Sequence, residues 1–296
     1  MKKILFAIIL LLLILLSMYL YNIKKSIIDI PIASFTPFVE NNNLKAVSSS
    51  FKLDNNLPKI EGASAFYPFA ANLVQTIYDK DSYREGLVKM VSTQEVFQDL
   101  INGSTDISIV TYPSEEQEKM IEESGVELEY ISLFIEPLAI IVNKNNPINN
   151  ISIEQLKRIY YEDELNWNEF VNYNKKIYTY QLEKNNGSQT CFENIVKNNA
   201  LGKNHKEIKL MPKIIDEIGK DKNGIAYCFY SYYMKMHSNL NTKIVNINNE
   251  NINSENYPLL FDVYLIYRTD NKNDNIQKIV EWVKSEEGKE IINKIK

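Results

Sequence analysis

Apolar residues run almost without a break from Ile4 to Leu20, and from Pro58 onward they fall into short runs separated by helical spacings. Strand-length blocks alternating with a 3.6-residue period predict an α/β body with mainly parallel strands. The expected strands are Ile107 to Thr111, Leu138 to Asn143, Ile177 to Leu182, Ile225 to Tyr230 and Val263 to Tyr267. Helix starts are marked by Ser92 with Glu95, Ser114 with Gln117 and Ser152 with Gln155. In each pair a hydroxyl and a carboxylate or amide can satisfy the orphan N–H groups reciprocally. Ile279, Val280, Val283, Ile291 and Ile292 share one helical face, which predicts a C-terminal helix or helix pair against the sheet.

The opening apolar segment is preceded by Lys2 and Lys3 and followed by Tyr21, Lys24 and Lys25. It reads as membrane-directed, at the short edge for a bilayer span and slightly long for the apolar region of a signal peptide. No small-x-small cleavage site follows closely and no Cys ends it to accept a lipid, so residues 1–25 are read as a signal anchor in preference to a removed signal peptide. Either reading places the body outside the cytoplasm, anchored to the cell membrane, or secreted if the segment is cleaved. Residues 26–57 have weak periodicity, several Asn and Ser, and Pro31 and Pro37, and read as a tether.

Composition narrows the function. The chain has 296 residues, 45% hydrophobic and 24% charged, a globular balance with room for one large or two medium domains. Its formal net charge is −5, and four of its basic residues flank the apolar N-terminus, so the body is more acidic still. That argues against nucleic acid as a partner. Cys191 and Cys228 have no neighbouring Cys or His at metal-ligand spacing; isolated buried thiols are favoured, with a disulfide left open. His205 and His237 neighbour no nucleophile and read as solvated surface residues. With no GxSxG, HExxH, Walker or GxGxxG pattern, the chain is expected to be no enzyme and to need no cofactor or metal.

Three short segments rich in small polar residues precede helices: Gly62-Ala63-Ser64-Ala65, Ser92-Thr93, and Asn186-Gly187-Ser188-Gln189-Thr190. At such a junction the first N–H groups lack intrahelical partners and the helix dipole adds positive charge, so an anion can bind without a cationic side chain. Helix capping is the ordinary alternative for each. The tyrosines at 227, 230, 232 and 233 could stack on a sugar or base, although packing at a domain edge is their commoner role.

Several phrases taken together resemble the substrate-binding proteins of phosphate ABC transporters, members of the type II periplasmic-binding-protein superfamily. They are EGASAFYPFA at 61–70, LINGSTDISIVTYPSEEQ at 100–117, IIVNKNNPINNISIEQLKRIYYEDELNW at 140–167, NNGSQT at 185–190, GIAYCFYSYY at 224–233, NYPLLFDVYLIYR at 256–268 and EWVKSEEGKEII at 281–292. The resemblance implies two α/β lobes with a cleft between them that closes on a ligand by hinge motion. The first lobe would comprise residues 58–139 and 244–296, the latter holding the return segment and C-terminal helix, and the second residues 140–243. The ligand would be a small phosphate-like anion, the partner an ABC permease, and the protein a monomer. Carried over residue by residue, the site comprises Ser64, Ala65, Thr93, Thr111, Asn186, Gly187 and Ser188. Ala63 stands where the first loop usually has Ser, Asn186 where the third has Ser, Leu182 where phosphate binders usually carry Arg, and Thr111 near where some members place Asp. Those departures motivate an alternative, a degenerate binding-protein fold acting as a surface sensor or interaction module without phosphate binding.

Overall fold

The computed structural model describes residues 9–14, 17, 27–162, 165–196 and 205–296. The signal-anchor reading therefore falls largely outside the described residues. Among those residues no helix is long and apolar enough to cross a membrane.

The first lobe is laid down as β1 (Ile27–Asp29), β2 (Ile60–Ala63), α1 (Tyr67–Ile77), β3 (Val88–Val91), α2 (Thr93–Asn102), β4 (Ile107–Thr111) and α3 (Glu115–Ser124), although β1 itself docks elsewhere. The long strand β5 (Leu128–Asn143) then crosses to the second lobe, built from β6 (Asn150–Ile151), α4 (Ile153–Tyr161), β7 (Tyr178–Leu182), α5 (Gly187–Val196), β8 (His205–Ile208), α6 (Met211–Lys220), β9 (Gly224–Phe229), α7 (Tyr230–Lys235), β10 (His237–Asn239), β11 (Thr242–Ile244) and β12 (Asn246–Ile247). The chain returns through β13 (Leu260–Arg268) and ends in α8 (Asp274–Lys284) and α9 (Glu286–Ile295). The sheet order is β3-β2-β4-β13-β5-β9-β7-β8, with β11 also on β5. Pairing is parallel in both outer parts and antiparallel around β13 and β5.

β5 belongs to both lobes. Leu128 to Pro137 pair with β13, and Leu138 to Val142 pair with β9. At the changeover the second crossing strand is bonded to the first, because Leu138 N donates to Leu259 O at 2.9 Å and the Tyr257 hydroxyl donates to Leu138 O at 2.9 Å. Beside them Glu136 is buried and accepts Ser231 N at 2.7 Å, tying β5 to the start of α7.

All three sequence-marked capping boxes form, at Ser92/Glu95, Ser114/Gln117 and Ser152/Gln155. The C-terminal segment is a pair of helices broken at Ser285, whose hydroxyl caps α9 through Gly288 N. Gly62 lets α1 pack directly on β2. A Cβ there would lie 2.8 Å from Tyr67 Cα and 3.0 Å from Ala70 Cβ. Since the crowding atom is backbone, Gly62→Ala is expected to cost about 2 kcal/mol, read as a lower urea midpoint at unchanged slope.

The stretch read as a tether is packed onto the body from residue 27. β1 pairs antiparallel with β10, Phe35 and Leu53 are buried, and the Phe51 ring stacks on Trp282 at 5.8 Å. His237 corrects the expectation of a solvated histidine: it is 5% exposed, with Nδ1 3.0 Å from an Asp29 oxygen and Nε2 3.2 Å from an Asp216 oxygen. Two carboxylates, one on each ring nitrogen, raise its pKa against the opposing effect of burial. Cys191 and Cys228 are free and buried, and burial pushes both thiols well above the ordinary range, so neither is a reactive thiolate.

Candidate functional site

Parallel pairing of β2 with β3 places Ala63 opposite Val91, which sets the turn at Ser64 beside the turn at Ser92. Ser64 Oγ donates to Val91 O at 3.2 Å, and Ala65 is buried in the core. From there α2 begins with Thr93, while Thr111 ends the next strand, β4. Both threonines are buried.

The opposite wall comes from the turn before α5. Asn185 adopts φ +66°, a left-handed conformation that Asn tolerates better than most residues. That reversal brings Asn186 into position to cap the helix, its side-chain oxygen accepting Ser188 N at 3.1 Å and Ser188 Oγ at 3.0 Å. Gly187 then meets the first lobe directly: its N–H donates to Thr93 Oγ1 at 3.1 Å, across 94 residues of sequence. A Cβ on Gly187 would stand 2.9 Å from Thr111 Oγ1 and 3.2 Å from Thr93 Oγ1. Thr93, Thr111 and Gly187 thus converge, with Asn186 and Ser188 on the same turn. Ser64 adjoins Thr93 through Val91, whereas Ala65 serves packing.

Two hydroxyl oxygens here, Thr111 Oγ1 and Thr190 Oγ1 one turn along α5, are buried without a hydrogen-bond partner of good geometry, the buried Cys191 thiol being the group that interacts with Thr111. Buried polar groups are rarely left this way, and they are donors available to a guest. No guanidinium joins them. Arg84 donates to the backbone oxygens of Asp81 and Tyr83, Arg158 pairs with Glu162 and Glu169, and Arg268 pairs with Asp270 and bonds Ile101 O. Leu182 is fully buried, and its N–H donates to Gln189 Oε1 at 3.0 Å. Gln189 also accepts the Tyr227 hydroxyl, whose ring stacks on Phe192 at 4.0 Å, so Tyr227 is core. Among the described residues no group of three or more His, Cys, Asp or Glu could hold a metal ion.

A polar seam beside these turns escaped sequence reasoning. Ser114 Oγ donates to Asn185 Oδ1 at 2.6 Å, and Gln117 Nε2 donates to Asn185 O at 3.1 Å and Gln94 Oε1 at 3.3 Å. Asn185 Nδ2 donates to Glu116 at 3.0 Å, and Lys184 pairs with the same carboxylate. The capping boxes explained Ser114 and Gln117 locally, so nothing in the pattern flagged their second task across the lobes.

Residues 54–287 match the family described as the PBP superfamily domain. The chain belongs to the PBP superfamily. Among PBP relatives, the phosphate-binding protein PstS of Staphylococcus epidermidis is 25% identical over 248 residues, covering 78% of this chain and 75% of the relative. That of Staphylococcus saprophyticus is 28% identical over 142 residues, 46% of this chain and 44% of its own. In three dimensions an ABC-type phosphate transport receptor from Vibrio cholerae aligns with TM-score 0.58 at 19% identity, over 80% of this chain and 97% of its own. A Clostridium perfringens protein solved with bound phosphate aligns with TM-score 0.61 at 20% identity, over 79% and 96%. At these identities the structural likeness speaks for the fold alone, a mixed α/β PBP fold.

Proposed function

We propose that this chain is an extracytoplasmic solute-binding protein that captures a small phosphate-like oxyanion in the interlobe cleft for an ABC permease and performs no chemistry. The observation carrying this reading is the buried, unpaired Thr111 hydroxyl at the point where Thr93 and the N-terminus of α5 meet across the lobes. Thr93 and Thr111 would hold the anion through their hydroxyls, and Gly187 and Ser188 through N–H groups that exchange Thr93 and Asn186 for the guest, with Ser64 and Asn186 setting the flanking turns. The names of the staphylococcal relatives support the ligand class and the transporter partner. The apolar run from Ile4 to Leu20 would hold the protein at the membrane.

Affinity should be modest, because charge-assisted bonds contribute roughly 1.5–3 kcal/mol each and the cleft holds no arginine. Titration calorimetry of the full chain with phosphate and with sulfate tests the reading. Saturable heat with phosphate is expected, and Thr111→Val should weaken it by about tenfold, with circular dichroism checking that the variant is folded. Millimolar phosphate giving neither heat nor a melting shift would remove the phosphate assignment.

A second reading has its own observation. The Gly187 and Ser188 N–H groups are already satisfied by Thr93 and Asn186, so the lobes can meet without a guest. On that reading the protein is an interaction or sensor module, and the same titration returns no heat with any oxyanion.

A further inference from the structure

A second concavity shares no lining residue with the cleft. Its volume is about 340 Å³, and its walls are Ile30, Phe35, Asn43, Leu44 and Lys45 of the N-terminal strap, Pro68 and Asn72 of α1, Lys235 at the end of α7, and Ile295 of α9. That volume lies within the range of small-molecule pockets, which typically combine apolar walls with a few polar groups that orient the guest.

Most of its polar groups are committed. The Asn72 amide faces the Lys45 backbone, and turned so that its nitrogen lies 2.9 Å from Lys45 O and its oxygen 3.3 Å from Lys45 N it fastens this N-terminal segment to α1. Asn43 Nδ2 donates to Ser34 Oγ at 3.1 Å, and the Lys45 ammonium donates to Lys294 O. Lys235 is different: among the described residues its half-buried ammonium makes no ion pair or hydrogen bond. Around it lie two further cations, Lys45 and Lys296, and one acid, Glu136, whose carboxyl is held by Ser231 N. The local balance is therefore positive in a chain whose net charge is −5.

We propose that this cavity binds a small organic carboxylate, its charged end on Lys235 and its aliphatic body against Ile30, Phe35, Leu44, Pro68 and Ile295. A strongly hydrated inorganic oxyanion does not suit the place, because most of its oxygens would face hydrocarbon without donors. The cavity also spans the lobes. Pro68 and Asn72 belong to the first, whereas Lys235 belongs to the second and Ile30 is bound to it through Ile30 N donating to Met236 O at 2.8 Å. A guest that prefers one disposition of these walls shifts the lobes toward that disposition, so occupancy and cleft closure are coupled. The site stands whatever the cleft binds.

Hexanoate titrated into the full chain, followed by ligand-observed NMR and calorimetry, is the test. Saturable binding is expected, weakened at least about tenfold by Lys235→Met, retained by Lys235→Arg, and absent for hexylamine. Leu44→Trp, which fills the cavity and leaves the lysine in place, should also abolish binding, and circular dichroism checks that each variant is folded. No saturation with hexanoate in the unaltered chain overturns the proposal, as does binding that survives both Lys235→Met and Leu44→Trp.

Discussion

Gly187→Ala is expected to hold the lobes apart and to weaken cleft binding by at least about tenfold. The added carbon would stand 2.9 Å from Thr111 Oγ1 and 3.2 Å from Thr93 Oγ1, inside ordinary contact on both sides. Overpacking of this kind costs roughly 1–3 kcal/mol, and each 1.4 kcal/mol shifts an equilibrium tenfold. The helix itself should not suffer, since Ala is the better helix former and Gly187 has no left-handed backbone angle to protect. The cost therefore falls on the interface between lobes, not on folding. Small-angle scattering should report a larger radius of gyration with an unchanged melting temperature, and calorimetry a weaker phosphate interaction. A variant with wild-type radius and affinity would show that this contact does not govern closure.

Stability is expected to peak near pH 5 and to decline toward pH 8. Burial raises Glu136 to about 7, and burial together with the Asp99 carboxylate raises Glu61 to about 7. His237 is raised by its two aspartates. For all three the folded state holds its proton more tightly than the unfolded chain, so their stabilisation is complete below the unfolded values. It is lost as pH climbs from about 4.5 through 7 for the acids and past 6.5 for the histidine. The acid limb has the opposite origin. Glu95, Glu116, Glu162 and Glu287 are lowered chiefly by hydrogen bonds from Ser92, Lys184, Arg158 and Ser50, and their contribution is present above about 4.5 and lost below it. Glu136→Gln isolates one component. Its amide oxygen can still accept Ser231 N, so the variant should be more stable at pH 8 by up to about 3 kcal/mol and nearly neutral at pH 4. Urea midpoints across pH 4 to 8 provide the measurement, and an equal Glu136→Gln effect at both ends would refute the assignment.

How much of this was legible in the sequence depended on the kind of signal each element carries. Capping boxes are local, and all three appeared where Ser and Glu or Gln predicted them. Strands buried on both faces show as continuous apolar runs, which is why the second half of β5 was readable from Leu138. Its first half alternates, as LEYISLFIE, and its partner is a distant strand, so pattern alone did not extend it back to Leu128. β2 and β3 are four residues each and fell below what periodicity resolves. The strap was misread because its order comes from docking: β1 is fixed by β10, and Phe51 by Trp282, contacts more than 200 residues apart in sequence. Of the candidate site, the three turns were visible as small polar residues before helices. Their convergence was not, because a threonine that caps nothing and waits unpaired at a strand end, as Thr111 does, looks like any other strand threonine until the opposite lobe is in place.

The zipping of β1 to β10 has a mechanical consequence. Any pull on the chain ahead of Ile27 reaches the second lobe first, through three paired residues and the Asp29–His237–Asp216 bridge. Were the lobes to hinge about the Leu138–Leu259 hydrogen bond, as the proposed closure requires, the lobe carrying β10 would be the one held and the other the one that swings. The run from Ile30 to Phe35, bonded at one end to Met236 and seated at the other beside α1, would then act as the strap that limits the swing.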